Sequence, residues 1–339
     1  MSRKLITIST IMTLMSTSVI ADVPNVAADI APIHSLVSRV MDGVGAPKLI
    51  VQSGASPHGY RLRPSEAKAL QDADHVFWMG EELTPWLDSA IGTLASKASV
   101  TTLLDQQGVI LHDFREGALF EAHDHSAHGD DDHDDHDDHK DHDDHDDHDD
   151  HDDHKDHDDH DDHDDHDEHG SHDPHAWLSP ENAKLWLNII ASKLSVSDPE
   201  NAATYFMNAA AGQAEIEAMI AEVKATLKPV QGGKFVVFHD AYQYFENDFD
   251  FYASGAISLG DSSDPSPARI EKVQKRIRDE GIQCVLAEPQ FKKGLVATVM
   301  EGSDATASVI DPLGAELETG PKLYTRLIKN MAKTLRNCL

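Results

Sequence analysis

Six histidines of this 339-residue chain stand outside a low-complexity stretch that holds the other seventeen: His34, His58, His75, His112, His175 and His239. Neutral imidazole is the common protein ligand for borderline-soft divalent ions, so the placement of these six decides whether a specific metal site exists. Three stand where a ligand would. His58, in Ser56-Pro57-His58-Gly59-Tyr60, follows the apolar run 49–52 and precedes a helix opening at Pro64. His239 follows the run 235–238, and His175, in Asp173-Pro174-His175-Ala176-Trp177, marks the return of ordered sequence after the low-complexity stretch. Asp311 obeys the same rule, because it ends the last apolar run in Val309-Ile310-Asp311-Pro312.

Three imidazoles and one carboxylate make a tetrahedral N3O set. That set suits zinc, whereas manganese and magnesium take more oxygen. Binding needs neutral imidazole, so affinity should fall as pH drops through the histidine range. His34 lies within a helix start, His75 leads a strand and His112 occupies a linker, so these three read as ordinary hydrogen-bonded residues. Glu288 reads equally well as an acceptor that orients a ligand N–H and as a helix-capping carboxylate. Asp240 and Glu288 are also the candidates for a general base, should the site be that of a zinc hydrolase. No His-Glu-x-x-His helix accompanies them, and a chain that only binds needs no such base.

The elements that must position these residues follow from apolar periodicity. Before the low-complexity stretch, 26–30, 49–52, 76–79 and 100–104 read as strands, with helices over 32–41 and 64–73 that each open near a proline. Behind it, 235–238, 251–256, 284–287 and 307–310 read as strands, with helices over 267–280 and 295–300. Between the halves, 201–227 is a helix of some 40 Å at 1.5 Å per residue. The predicted fold is therefore α/β, two βα lobes with largely parallel sheets joined by a long rigid backbone helix, and a metal site in the cleft between them.

Residues 123–172 repeat His-Asp-Asp at a period of three, which matches neither helix nor strand. This stretch reads as a disordered, solvated loop. Between Glu121 and Asp173, 28 acidic residues and two lysines account for −26 of the net −33, which leaves the rest of the chain at −7. No basic face exists for nucleic acid. Seventeen imidazoles exceed what solvation requires, so the loop is expected to gather additional zinc.

Arg3-Lys4, the apolar run 5–20 and Val19-x-Ala21 form the layout of a secretory signal peptide cleaved before Asp22. Export implies an oxidising compartment, and the chain's two cysteines, Cys284 and Cys338, are then expected to pair. The expected organisation is a signal peptide over 1–21, an N-terminal α/β lobe over 22–199 that carries the His/Asp-rich loop 121–173, a linking helix over 200–229, and a C-terminal α/β lobe over 230–339.

Five motifs in order, Ser56-Pro57-His58-Gly59-Tyr60 with Arg63-Pro64-Ser65, His175-Ala176-Trp177-Leu178-Ser179-Pro180, Phe238-His239-Asp240-Ala241-Tyr242, Ala287-Glu288-Pro289-Gln290-Phe291 and Asp311-Pro312-Leu313-Gly314, resemble the zinc-specific solute-binding proteins of ABC importers, the ZnuA type. The resemblance covers essentially the whole mature chain. It implies a periplasmic, non-catalytic protein that captures zinc and delivers it to a membrane permease, with zinc as cargo rather than cofactor. His58, His175 and His239 become the principal ligands, Cys284 and Cys338 a disulfide, and the His/Asp-rich loop a cover over the cleft. Further implied are a monomeric state and, as additional partners, other periplasmic zinc chaperones. One position departs from the pattern: Pro57 stands where many members carry glutamate. The fourth ligand is then Asp311, a water or a histidine from the loop, of which Asp311 is favoured. Related roles on the same fold, as a zinc chaperone or an adhesin without a transporter, are the remaining alternatives.

Overall fold

The computed structural model describes residues 23–115, 120, 172–258, 260, 265–290 and 293–339. The expected signal peptide and nearly all of the His/Asp-rich loop lie outside the described residues.

Two four-stranded parallel sheets are present. The first contains β1 (Val26–Ala28), β2 (Lys48–Leu49), β3 (His75–Trp78) and β4 (Ser99–Thr102), in the order β2-β1-β3-β4. The second contains β5 (Phe235–His239), β6 (Ala256–Ser258), β7 (Cys284–Ala287) and β8 (Thr306–Val309), in the equivalent order β6-β5-β7-β8. In both, the chain leaves the first strand to one side and returns to the other. The switch point, where ligands of open parallel sheets collect, therefore lies between the carboxyl ends of β1 and β3 in one sheet and of β5 and β7 in the other.

Helices α1 (Ala31–Val40), α2 (Pro64–Gln71) and α3 (Pro85–Leu94) flank the first sheet, each with proline in its first turn, where a missing N–H costs nothing. Helix α4 (Pro180–Ser197) leads into α5 (Ala202–Leu227), the expected long helix. Tyr205, Ala209, Gly212, Ile216, Met219, Val223 and Leu227 bury one stripe of α5 at helical spacing, against α1, α4 and the final helix α9 (Leu323–Cys338). Gly212 permits the close approach. A Cβ there would meet Leu187 Cδ1 at 2.9 Å and Arg39 Cγ at 3.1 Å.

The second sheet is flanked by α6 (Gln243–Phe249), α7 (Pro267–Glu280) and α8 (Lys293–Met300). One expectation needs correction here: the strand placed at 251–256 begins only at Ala256. Asp250 adopts a left-handed conformation at φ 50° to end α6, and Gly255 has φ 154°, so the intervening residues form a bend. Phe251 and Ala253 are buried there without a ladder, which is why their apolar character resembles a strand. Helices α3, α4, α6 and α9 add to those expected from periodicity. Cys284, the first residue of β7, forms a disulfide with Cys338 at the end of α9, as export had led us to expect.

The two sheets are also joined away from α5. Trp177 Nε1 donates to the carbonyl of Pro312 at 2.9 Å, and the Tyr324 hydroxyl of α9 donates to the carbonyl of Trp177 at 2.9 Å. Ser35 of α1 donates to Gly320 and accepts from the Tyr324 amide. No helix among the described residues is long and apolar enough to cross a membrane.

Candidate metal centre

His239 is the last residue of β5, and Glu288 directly follows β7. The register Phe235↔Cys284, Val236↔Val285, Val237↔Leu286, continued by two pairs, sets these two side chains next to each other at the switch point. His239 Nδ1 lies 2.6 Å from Glu288 Oε1, with both residues buried. An ionised carboxylate can only accept, so Nδ1 carries the proton and Nε2 is the ring nitrogen left to face the cleft. Of the two readings open for Glu288, the structure therefore shows the acceptor for His239. Gln290 Nε2 donates to its other oxygen at 2.8 Å.

His175 is built in the same way by a local device. It precedes a 3-10 turn over Ala176–Leu178, and Asp173 Oδ1 accepts both its backbone amide at 2.9 Å and its Nδ1–H at 2.7 Å. The Ser179 hydroxyl then caps α4 by accepting from the Asn182 amide. His175 Nε2 is thereby aimed at His239 Nε2, and the two nitrogens stand 3.3 Å apart. Two lone pairs facing each other at that distance repel unless a proton or a cation lies between them. In a tetrahedron with metal–nitrogen bonds of about 2.0–2.1 Å, two ligand nitrogens are separated by about 3.3–3.4 Å. The pair already has the spacing of one tetrahedral edge.

His58 approaches from the first sheet, on the loop after β2. That loop is fixed where Trp86 Nε1 donates to the carbonyl of Pro57 at 2.7 Å. It is fixed again where Glu66 accepts from the Tyr60 hydroxyl and the Arg63 amide, both at 2.7 Å. The His58 ring centroid lies 5.8 Å from that of His175, whose own centroid is 5.2 Å from His239. The three histidines singled out from the sequence thus form one continuous group that runs from the first sheet to the second. Among the described residues, no three His, Cys, Asp or Glu side chains are drawn into a closed metal-holding shell.

Asp311 lies just past β8. Its Oδ1 accepts from the Leu313 and Gly314 amides at 3.1 and 2.8 Å, a turn that occupies one carboxylate oxygen. It is close enough to act electrostatically on the hydroxyl of Tyr242, whose ring stands 6.3 Å from that of His239. That hydroxyl is fully buried beside Glu288 without a well-formed hydrogen bond. Burial first, and then Glu288 and Asp311, hold its proton well above the ordinary tyrosine range.

The other histidines have partners of their own. His34 Nε2 meets the carbonyl of Pro47 at 3.2 Å, and His75 Nε2 meets the Ser197 hydroxyl at 2.7 Å. His112 packs on Tyr244 with its Nε2 3.3 Å from Asn247. Burial lowers the proton affinity of His34 and His75, which fits neutral structural imidazoles. The hydrolase alternative loses its bases. Glu288 is committed to His239 and Gln290, and the Asp240 carboxylate faces the Arg115 guanidinium at 3.0 and 3.1 Å from Nε.

Two residues that contact this group or its flanks escaped the sequence reading. Asp173 had a signal, its place two residues before His175, where a side chain can reach back to cap the amide. Arg115 had a weaker one, as the single basic residue between Lys97 and Lys140.

A family model described as "Zinc-uptake complex component A periplasmic" matches residues 26–338. The chain is 49% identical over 314 residues, 93% of its length and 91% of the relative's, to the high-affinity zinc uptake system protein ZnuA of Brucella abortus (strain 2308). It is 45% identical over 320 residues, covering 94% of this chain and 93% of the relative, to the protein of that name from Paracoccus denitrificans (strain Pd 1222). A crystal structure of ZnuA shares the fold, with a TM-score of 0.68 at 20% identity over 94% of this chain and 99% of that one.

Proposed function

The chain belongs to the family of periplasmic zinc-uptake components of ABC importers, and from that premise we propose that His58, His175 and His239 hold the zinc ion, with one oxygen of Asp311 as the fourth ligand. The protein is a binding component rather than an enzyme, zinc is its cargo, and the importer's permease and ATPase are its partners. One observation carries the assignment of the site: two imidazoles, each with Nδ1 on its own carboxylate, bring their Nε2 atoms to 3.3 Å from each other. Carboxylate-backed imidazole is the usual form of a zinc-binding histidine, because the acceptor fixes the tautomer and strengthens the lone pair.

Asp311 fits the fourth position because the backbone turn leaves it one oxygen to give, and a single oxygen suits a tetrahedral ion. The organisation we propose keeps the boundaries read from the sequence: a signal peptide over 1–21, lobes over 22–199 and 230–339, and a linking helix over 200–229. The His/Asp-rich loop 121–173 gathers further zinc in weaker, exchangeable sites. The chain works as a monomer, and other periplasmic zinc chaperones are candidate donors.

Titration of the mature chain with zinc against a competing chelator tests this reading. One tight site should survive deletion of 121–171 and disappear when His58, His175 and His239 are all replaced by alanine. Retention of the tightest site in the triple variant overturns the ligand assignment. Manganese binding tighter than zinc overturns the choice of ion.

A further inference from the structure

Segment 109–115 runs from the first sheet towards the His/Asp-rich loop, and it is held on both sides of the cleft. Asn182 of α4 accepts from the Ile110 amide at 2.8 Å and donates to its carbonyl at 3.0 Å. The hydroxyl of Tyr244 on α6 accepts from the His112 amide at 3.1 Å and donates to the carbonyl of Asp173 at 2.7 Å. Asp113 and His172 form an isolated antiparallel bridge, and the Asp173 amide donates to the carbonyl of His112 at 2.8 Å. The two described ends that flank the loop are therefore paired, and the pairing finishes on Asp173, the carboxylate that orients His175.

Arg115 closes this stem onto the second sheet. Its Nε donates to both oxygens of Asp240, its Nη2 also meets Asp240, and its Nη1 donates to Glu246 Oε2 at 2.6 Å. The Phe120 ring covers the guanidinium at 3.6 Å. Asp240 directly follows His239, and Glu246 is buried on α6. Two buried carboxylates on one corner of the second sheet thus share one cation from the opposite side of the cleft. Burial would lower the proton affinity of the guanidinium, but Glu246 and Asp240 outweigh it and raise it, so the cation is permanent.

We propose that Arg115 is a positioning residue for zinc binding: by pairing with Asp240 and Glu246 it clasps the stem of the His/Asp-rich loop to the β5–α6 corner and so holds His239 at tetrahedral spacing from His175. Without the clasp, the stem that supports Asp173 and the corner that carries His239 have lost their direct ionic link, and the 3.3 Å nitrogen pair has one restraint fewer. The inference rests on the proposed ligand set. It extends that set to a residue that never touches the metal.

The test uses the full mature chain and three variants: Arg115→Met, Arg115→Lys, and Arg115→Met combined with Asp240→Asn and Glu246→Gln. Zinc Kd is read by chelator competition, zinc release by stopped-flow, and stability of the metal-free protein by chemical denaturation. Arg115→Met should weaken zinc about tenfold, the lower end for groups that orient metal ligands, and speed release in proportion. The triple variant removes the buried charges, so it should regain stability and yet keep the weakened affinity. Arg115→Lys, which restores charge without the fork, should fall between. Wild-type affinity in Arg115→Met overturns the clasp, and so does a triple variant that recovers affinity together with stability, since Arg115 would then serve only to neutralise charge. His175→Ala and His239→Ala are measured alongside. If they too bind as wild type, the ligand assignment has failed rather than the clasp.

Discussion

Glu288→Gln tests the proposed zinc site through one buried carboxylate. The change is nearly isosteric, so the packing around β7 is undisturbed. Glu288 accepts from two donors, His239 Nδ1 at 2.6 Å and Gln290 Nε2 at 2.8 Å, one on each oxygen. A carboxylate serves both, whereas an amide has a single oxygen and sets an NH2 against one of them. The loss of charge also leaves His239 Nε2 a poorer donor to a cation. Removing such an acceptor from a metal-bound histidine typically weakens binding about 10- to 100-fold, or ~1.4–2.7 kcal/mol. Asp173→Asn should lose less, because a single oxygen of Asp173 accepts both the amide and Nδ1–H of His175 and asparagine can supply that oxygen. The assay is zinc competition with a chromogenic chelator at fixed pH, with thermal unfolding of the metal-free protein as control. A Kd for Glu288→Gln within twofold of wild type, or a greater loss for Asp173→Asn, would refute the reasoning.

Burial pushes Asp29, at the end of β1, up to about 7, although the Met79 and Ile30 amides oppose the shift. The folded state then holds this proton more tightly than the unfolded chain does, so the contribution is stabilising at low pH and is lost as pH rises from about 4 to about 7, by up to ~4 kcal/mol. Asp29→Asn should flatten that part of the stability profile in urea titrations, and an unchanged slope would exclude Asp29 as its source. Opening the Cys284–Cys338 bridge, which spans 54 positions, should destabilise the metal-free protein by ~4 kcal/mol in the chain-entropy model. Denaturation of the reduced protein measures it, and a change below ~1 kcal/mol would mean that the reduced unfolded chain is already restrained. Trp177→Phe removes the donor to the Pro312 carbonyl and should cost ~1–3 kcal/mol in the same assay. Stability equal to wild type would show that this bond contributes nothing net.

Much of the proposed site was legible before any coordinates. His58, His175 and His239 follow strands or mark the return of order, and parallel α/β sheets bring such positions to a common edge whatever their separation along the chain. The long helix, the parallel strands and the pairing of the two cysteines followed from periodicity and export in the same way. Where local rules misled, as at 251–256, tertiary burial had placed apolar side chains in a bend, and burial does not distinguish a bend from a strand.

What the sequence by itself supplied is the chemistry proposed for the site: an imidazole set with a single favoured carboxylate, suited to zinc, beside a repetitive acidic stretch of low complexity. What only the tertiary structure decided is which acceptor stands behind each imidazole. Glu288 reaches His239 through strand register across 49 positions, Asp173 reaches His175 from two residues away, and Arg115 reaches Asp240 across 125. Hydrogen bonds of this kind depend on distances of tenths of an ångström between groups that no residue pattern relates, so they exist only once both sheets are in place.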